Sequence, residues 1–323
     1  MRSPVARSIA PHAALVVAAG CFGVTFVMVK DAVRDVTPAG FIVLRFALGS
    51  LTLAPFAVWS RRRTGSRSAG SDAGAGLVPV AGALGFTLAT GYVLQTTGLQ
   101  HTSASSSAFI TGLFVVFTPL IQVALRHRGL GPVTATAVTL AGAGLFMITG
   151  ADFHVGSGDA LTLGCAFAFA VQIVLLGVFA DRFDPIVLNT AQMSALVLFT
   201  LPVLAVTGVG SLTGRAWLAI IVTGLACSSF AFTLQVYGQS HVSATRSALL
   251  LSLEPVFAAL TGYAVGQGLG PVGAVGALLI LVAIVVEEAG GSWLRGARRA
   301  HGAAPDVVQA AGDGLVGDAR RRP

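Results

Sequence analysis

The sequence predicts an all-α integral membrane protein with ten transmembrane helices, arranged as two five-helix repeats of opposite orientation. Three observations lead to this fold class: the composition, the apolar segments of membrane length, and the similarity of the two halves. Of the 323 residues, 54% are hydrophobic and only 10% are charged, whereas soluble domains carry about 25% charged residues. So few charges cannot cover the surface of a water-soluble protein of this size, and we expect lipid to surround the chain.

Ten apolar segments are long enough to cross a bilayer, because about 20 helical residues span ~30 Å of hydrocarbon. They are residues 11–30, 39–59, 77–99, 103–125, 131–150, 158–180, 185–206, 215–239, 243–266 and 271–290. Turn signals such as Thr37-Pro38 and Asp184-Pro185 separate them. The first segment is predicted to be a retained helix and not a cleaved signal peptide. Residues 291–323, rich in Arg, Gly and Ala, are expected to form a basic, disordered cytoplasmic tail.

The basic residues predict the orientation of these spans. With ten spans both termini share one side, and sixteen of the 20 Lys and Arg residues fall there. Three fall on the other side, namely Lys30, Arg34 and Arg215, and Arg45 lies inside the second span. By the positive-inside rule, both termini are expected in the cytoplasm.

The two halves of the chain resemble each other. A shift of 140 places Gln95, Gly98, His101, Ser103, Ala104, Ser107, Ala108 and Leu113 on Gln235, Gly238, His241, Ser243, Ala244, Ser247, Ala248 and Leu253. The tetrapeptide GLGP recurs at 129–132 and 268–271. We therefore predict one repeat at 11–150 and a second at 158–290. Since each repeat holds an odd number of spans, the second is inverted, an architecture of secondary transporters that bind solute near the membrane midplane.

Four segments of the chain resemble the drug/metabolite transporter superfamily, specifically its ten-helix EamA-type permeases. They are Leu44-Arg45-Phe46, AFITGLFVVFTPL at 108–120, QIVLLGVFADRFDP at 172–185 and SATRSALLLSLEPVFAALTG at 243–262. The first span departs from the family, which often has Trp-Gly where this chain reads Cys21-Phe22-Gly23. The resemblance implies a multi-pass permease of the bacterial inner (cell) membrane that exports amino acids, other small metabolites or toxic compounds.

Glu254, followed at once by Pro255, lies in the middle of the ninth span. A carboxyl group at that depth is costly and marks a candidate functional site. The proline removes a backbone donor and crowds the preceding turn, so we expect a kink there. Two alternatives stay open: a group that couples transport to protons or contacts solute, and a protonated or helix-bonded glutamate that caps backbone groups freed by the proline.

Other polar or aromatic residues inside the spans are candidates for the solute pathway, because polar groups in hydrocarbon require partners. They are Gln95, Gln235, Tyr92, Tyr237, Gln172, Thr25, Phe26, Thr96, Phe109, Thr111 and Phe232. For the glutamines, contact with solute and bonding across helices are equal alternatives. For each phenylalanine, plain packing or lipid contact is the alternative.

Arg45, near the outer end of the second span, is interpreted as a structural residue, and contact with the substrate is the alternative. Its long stem can reach towards water. We expect it to clamp backbone carbonyl groups or an acid on the outer side, where Asp31 and Asp35 are at a suitable depth.

The sequence contains no HExxH, GxSxG or Walker motif, so we expect neither an enzyme nor a metal or cofactor site. The expected partners are a small-molecule substrate, the lipid bilayer and, if transport is coupled, protons, but not nucleic acid. The function predicted is export by alternating access. The alternative is a non-transporting membrane sensor or assembly subunit that retains the fold.

Overall fold

The computed structural model describes residues 4–65, 76–102, 104–126, 130–149, 156–264 and 270–302. In these ranges the chain consists of helices joined by short connections. The helices are α1 (Pro4–Ala32), α2 (Pro38–Gly65), α3 (Leu77–Gly98), α4 (Ala104–Gly112), α5 (Phe114–Arg126), α6 (Pro132–Thr149), α7 (Ser157–Phe179), α8 (Pro185–Thr207), α9 (Gly214–Val222), α10 (Phe232–Gln239), α11 (Ala244–Leu251), α12 (Glu254–Ala264) and α13 (Pro271–Gly302). A π-helix, Thr223–Ala231, joins α9 to α10, and a 3₁₀-helix, Ala180–Arg182, follows α7. Helix α13 continues to Gly302, so residues 291–302 of the segment predicted to be disordered are helical, and residues 303–323 lie outside the described residues.

Seven helical stretches within the described residues are long and apolar enough to cross a membrane. They are Pro38–Arg63, Leu77–Gly98, Ser107–Leu125, Ser157–Arg182, Pro185–Thr207, Gly214–Gln239 and Pro271–Gly290. Two shorter apolar helices, Ile9–Thr25 and Pro132–Ile148, accompany them. Large apolar side chains such as Leu51 and Val206 point outwards, as expected for a surface solvated by lipid. The described residues are therefore all-helical, as predicted, and seven of their helical stretches have the length and apolar composition of membrane spans.

Two of the predicted spans are interrupted near their centres. The ninth span is divided between α11 and α12, and the break lies immediately before Glu254 and Pro255. Pro255 has no N–H to donate to the carbonyl of Leu251 and is tolerated in the first turn of a helix, so a new helix begins at Glu254. The fourth span is divided at Leu113 without a proline beside it. Both breaks are tightened by an i→i+3 bond, in which the Leu113 N–H donates to Ile110 O (3.1 Å) and the Leu253 N–H to Leu250 O (3.3 Å).

The eighth span was expected to be continuous α-helix, but its middle is the π-helix. There the Phe232 N–H donates to the carbonyl of Cys227, five residues back. The π-helix lies close against α2, because a Cβ added at Gly49 would stand 2.6 Å from Ser228 Cβ. A Cβ at Gly224 would in turn stand 3.1 Å from the Arg45 carbonyl oxygen. This close approach places Ser228 beside the second span.

Helices from the two halves pack against each other. The most extensive contacts are α6 on α13, α2 on α8, and α3 on both α7 and α8. Helix α1 packs against α10 and α12. The half of the bundle next to the start of α1 is filled by apolar side chains, among them Leu15, Ala18, Val242, Ala244 and Ala248.

Helices α2 and α8 are tied together at both ends. Thr37 Oγ1 accepts from Gly40 N (3.1 Å) at the start of α2 and donates to the carbonyl of Gly208 (2.6 Å), just past the end of α8. Asp184 caps the start of α8, and its Oδ2 accepts from Ser60 Oγ (2.9 Å) near the end of α2. Thr37 at the start of α2 therefore bonds to the end of α8, and Asp184 at the start of α8 bonds to a residue near the end of α2.

Candidate functional site

A cavity lies at the centre of the bundle. It offers about 90 Å³ to the centres of water-sized molecules, several times the ~10–15 Å³ that admits one water. Its walls come from nine helices, α1 to α5, α7 and α10 to α12. They are Phe22, Thr25, Val29, Phe41, Ile42, Arg45, Leu88, Tyr92, Gln95, Thr96, Leu99, Thr111, Phe114, Phe169, Gln172, Ile173, Phe232, Gln235, Leu251 and Glu254.

Most of the predicted pathway residues meet in this cavity. They are Glu254, Gln95, Gln235, Tyr92, Gln172, Thr25, Thr96, Thr111 and Phe232, joined by Arg45. Tyr237 is not among the lining residues, because its ring lies against His241 with centroids 5.0 Å apart. Phe109 is buried against Phe146, with ring centroids 5.7 Å apart. The side chain of Phe26 lies outside the described residues.

Glu254 is the first residue of α12, so its carboxylate lies at a helix N-terminus, where negative charge is favoured. It borders the central cavity and, with Pro255, a smaller neighbouring one. Within the described part of the chain, its carboxylate makes no hydrogen bond and no ion pair within 4 Å. The side chain therefore faces the cavity and does not cap the backbone groups freed by Pro255.

Arg45 is only 4% exposed. Its Nε donates to Ser228 Oγ on the π-helix at 3.1 Å. Its guanidinium carbon lies 4.9 Å from the ring centroid of Phe46 and 5.2 Å from that of Tyr92. Cations at such distances are attracted by the ring faces. One hydrogen bond and two rings thus hold the guanidinium at the cavity wall.

These contacts of Arg45 differ from the expected clamp to an outer acid. Asp31 instead pairs with Arg34, with Nη1 and Oδ1 3.5 Å apart. Asp35 accepts from Thr213 Oγ1 at 2.9 Å. Arg45 does not reach these acids because its side chain points into the bundle, towards Ser228 on the π-helix.

Three glutamines add amide groups to the cavity. Gln95 Nε2 donates to Thr111 Oγ1 at 3.2 Å. Gln172 is 2% exposed, and its Nε2 has no hydrogen-bond partner among the described residues. Gln235 is 4% exposed, and the described residues give its side chain no hydrogen bond. Since buried polar groups are normally paired, Gln172 and Gln235 are suited to bind water or solute.

Aromatic rings form the apolar part of the walls. Phe22 meets Phe232 edge to face with centroids 5.1 Å apart, and Tyr92 meets Phe169 in the same way at 5.1 Å. Sequence reasoning missed Phe169, because a phenylalanine in a lipid-facing helix looks the same as one facing inwards. Phe22 carried a signal, since it stands one place from the aromatic position of the family motif.

A cluster of charged side chains lies on the opposite side of the core, where α1, α11 and α13 meet. Arg246 reaches Glu287 (N···O 3.9 Å) and Glu288 (3.6 Å), and His12 Nε2 lies 3.3 Å from Glu288 Oε1. Arg246 and Glu287 are 16% and 12% exposed in their side chains. We call these four residues the charged cluster. It joins both halves of the chain beyond the packed apolar core.

A model of the EamA-like transporter family matches residues 11–150 and 156–286. The chain belongs to this family. A protein of Archaeoglobus fulgidus described as an uncharacterized transporter is 30% identical over 268 residues, which cover 82% of this chain and 81% of that relative. Another with the same description and source is 22% identical over 246 residues, covering 74% and 83%.

A solved crystal structure shares the fold, with a TM-score of 0.69 at 18% identity over 88% of this chain and 98% of that one. The family assignment confirms the resemblance and indicates a multi-pass membrane transporter rather than an enzyme.

Proposed function

We propose that this protein is a secondary transporter that exports small metabolites, amino acids or drug-like solutes by alternating access. The observation that carries the proposal is the central cavity, in which the described residues place one cation, one carboxylate and three amides among aromatic and aliphatic walls. Such a mixture of a few polar groups in an apolar pocket is typical of small-molecule sites. Both matched halves contribute walls to it, as expected for a site at a repeat interface.

Ten spans in two inverted repeats account for three features of the structure. Helices α5 and α12 begin 140 positions apart (114 and 254), which is the shift that relates the halves in sequence. The two capping residues Thr37 and Asp184 hold α2 and α8 in a reciprocal manner. In the proposed repeats α3 corresponds to α10, and α1 corresponds to α7. The contact of α3 with α7 should therefore have a counterpart between α10 and α1, and both pairs are in contact.

The cavity belongs to the half of the bundle away from the termini. Val29, Phe41 and Leu99 lie beside the α1–α2 and α3–α4 connections and line it. The apolar core around Leu15 and the charged cluster close the other half. If the termini are cytoplasmic, as the basic residues predict, this is an outward-facing arrangement, and the cycle must open the core next to Leu15.

Glu254 is the proposed coupling group. Its carboxylate borders the cavity without a protein partner and adjoins the break between α11 and α12, a point at which the ninth span can bend. Among the described lining residues Glu254 is the only carboxylate, and a proton taken up from outside would neutralise it as the solute leaves. Release of that proton on the inner side would restore the charge for the next cycle.

The test is transport into proteoliposomes, using a panel of radiolabelled amino acids and fluorescent drug-like compounds with and without an imposed pH gradient. We expect wild-type flux to rise with the gradient and Glu254→Gln to lose that response while folding normally. Asp181→Asn, a neutralised carboxylate on the exposed 3₁₀-helix, is the matched control and should behave as wild type. Flux that keeps its pH dependence in Glu254→Gln would refute coupling through this residue. Absence of flux for every compound would favour the non-transporting alternative.

A further inference from the structure

Arg45 is a buried cation that has no carboxylate in direct contact among the described residues. Within the described residues no carboxylate lies within 4 Å of it, although Arg45 is only 4% exposed. Asp31 and Asp35, the nearest acids along the chain, are engaged with Arg34 and Thr213. Glu254 borders the same cavity and interacts with Arg45 through its charge, but it does not approach within 4 Å. Since a charge removed from water is costly unless it is paired, a guanidinium with no carboxylate in contact is suited to receive an anionic group from a bound solute.

The donors of Arg45 are divided between the protein and the cavity. Nε is occupied by Ser228 Oγ. Nη1 and Nη2 donate no hydrogen bond to the described residues, and neither is among the fully buried polar atoms that lack a partner. The two terminal amino groups are therefore left as a fork that faces the cavity.

A layer of polar contacts fixes the direction of this fork. Asn189 Nδ2 donates to the carbonyl of Ser228 at 3.2 Å and to Thr233 Oγ1 at 2.8 Å. Its Oδ1 accepts from Gln192 Nε2 at 2.9 Å. These bonds hold the π-helix turn that presents Ser228, while the rings of Phe46 and Tyr92 lie within 4.9 and 5.2 Å of the guanidinium carbon. The hydrogen bond to Ser228 and the two rings therefore hold the guanidinium of Arg45 in one orientation.

We propose that Arg45 binds a carboxylate of the transported solute. A planar oxyanion with two oxygens matches the geometry of a guanidinium fork and is bound bidentately. The rings of Phe22, Phe169 and Phe232 surround the same space and suit an apolar or aromatic remainder. The substrate class is then a small carboxylic acid with an apolar body, with or without an amino group. This inference rests on the proposed function, because it names the substrate of that cavity.

The experiment measures binding to the purified full-length protein in nanodiscs and needs no transport. Each probe is a pair that differs only at the acid: 3-phenylpropionate with its amide, and L-phenylalanine with its amide. We expect wild type to bind each acid about 10- to 100-fold more tightly than its amide, the range set by a hydrogen-bonded charge. Arg45→Gln should remove this preference without weakening amide binding.

Controls separate recognition from folding. Arg215→Gln removes an exposed arginine at the start of α9 and should retain the full preference. Arg45→Lys keeps the charge without the fork and should retain only part of it. Ser228→Ala, which keeps the guanidinium and frees its Nε, tests the same point if Arg45→Gln does not fold, and should lower the preference.

Equal binding of acid and amide by wild type for both pairs would overturn the carboxylate site, as would a preference unchanged in Arg45→Gln and Ser228→Ala. These outcomes are independent of flux. A preference that depends on Arg45 in a protein that carries nothing would uphold the site and refute the transporter. Flux of neutral solutes with no acid preference would do the reverse.

Discussion

Gly23 of α1 is the position where the first span meets the start of α12. A Cβ added there would overlap the carbonyl oxygen of Glu254 and would stand 3.0 Å from both Ala258 N and Phe257 Cβ. Since comfortable contacts between carbons are about 3.5–4.0 Å, Gly23→Ala forces α12 away from α1 by roughly 0.5–1 Å. The contacted atoms belong mainly to the backbone of α12, which cannot move aside as a side chain can.

Gly20→Ala provides a matched control on the same helix. A Cβ at Gly20 would meet only the ring of Phe257, at 3.8 Å. Both substitutions gain up to about 1 kcal/mol of helix propensity, which cancels in the comparison. Overpacking costs about 1–3 kcal/mol, so we expect Gly23→Ala to be less stable than Gly20→Ala by that amount. It should also lose transport, because the displaced residue is Glu254.

The assay is unfolding by SDS titration in mixed micelles, followed by tryptophan fluorescence, together with flux in proteoliposomes. A lower free energy of unfolding for Gly23→Ala, with flux retained in Gly20→Ala, is the expected result. Equal stability and equal flux for the two variants would refute the reasoning, because α1 would then not fix the position of α12.

Two further variants test the closed side and the ties between α2 and α8. Arg246→Gln removes the cation from Glu287 and leaves Glu288 with His12 alone. It should speed the labelling, by an impermeant maleimide, of a cysteine introduced at Leu15 in a cysteine-free background, and an unchanged rate would contradict the role of the charged cluster. Asp184→Ala removes the N-cap of α8 and the bond from Ser60, so the free energy of unfolding should fall by about 0.5–2 kcal/mol. Asp181→Ala is its exposed control, and an equal loss in both would contradict the capping argument.

The sequence predicted the parts of the site that depend on polarity. Gln95, Gln172 and Gln235 stood out because an amide is costly in lipid, and all three line the cavity. Tyr237 was selected for the same polarity, but it lies beside His241 near the end of α10 and so does not line the cavity. Depth cannot be predicted to within a helical turn when span boundaries are uncertain by a few residues.

Backbone irregularities were harder to predict. The break before Glu254 was expected because Pro255 leaves a chemical signature in the sequence. The break at Leu113 has no proline beside it and follows Gly112, one of many glycines in the spans, which does not by itself predict a break. In a π-helix each N–H donates to the carbonyl five residues back, and in an α-helix to the one four residues back. A run of small residues such as Gly224 and Ser228 is compatible with both patterns. Arg45 was therefore assigned to the outer surface, since nothing in the sequence placed Ser228 within its reach.

The reciprocal ties between α2 and α8 have a consequence for biogenesis. Thr37 is synthesised long before Gly208, so α2 enters the membrane with its anchoring hydroxyl still without its distant partner. Ser60, near the end of α2, is likewise synthesised before Asp184, the residue to which its hydroxyl donates. The N-terminal half alone therefore lacks the distant partner of both hydrogen bonds. Both can form only after α8 has been synthesised and has packed against α2.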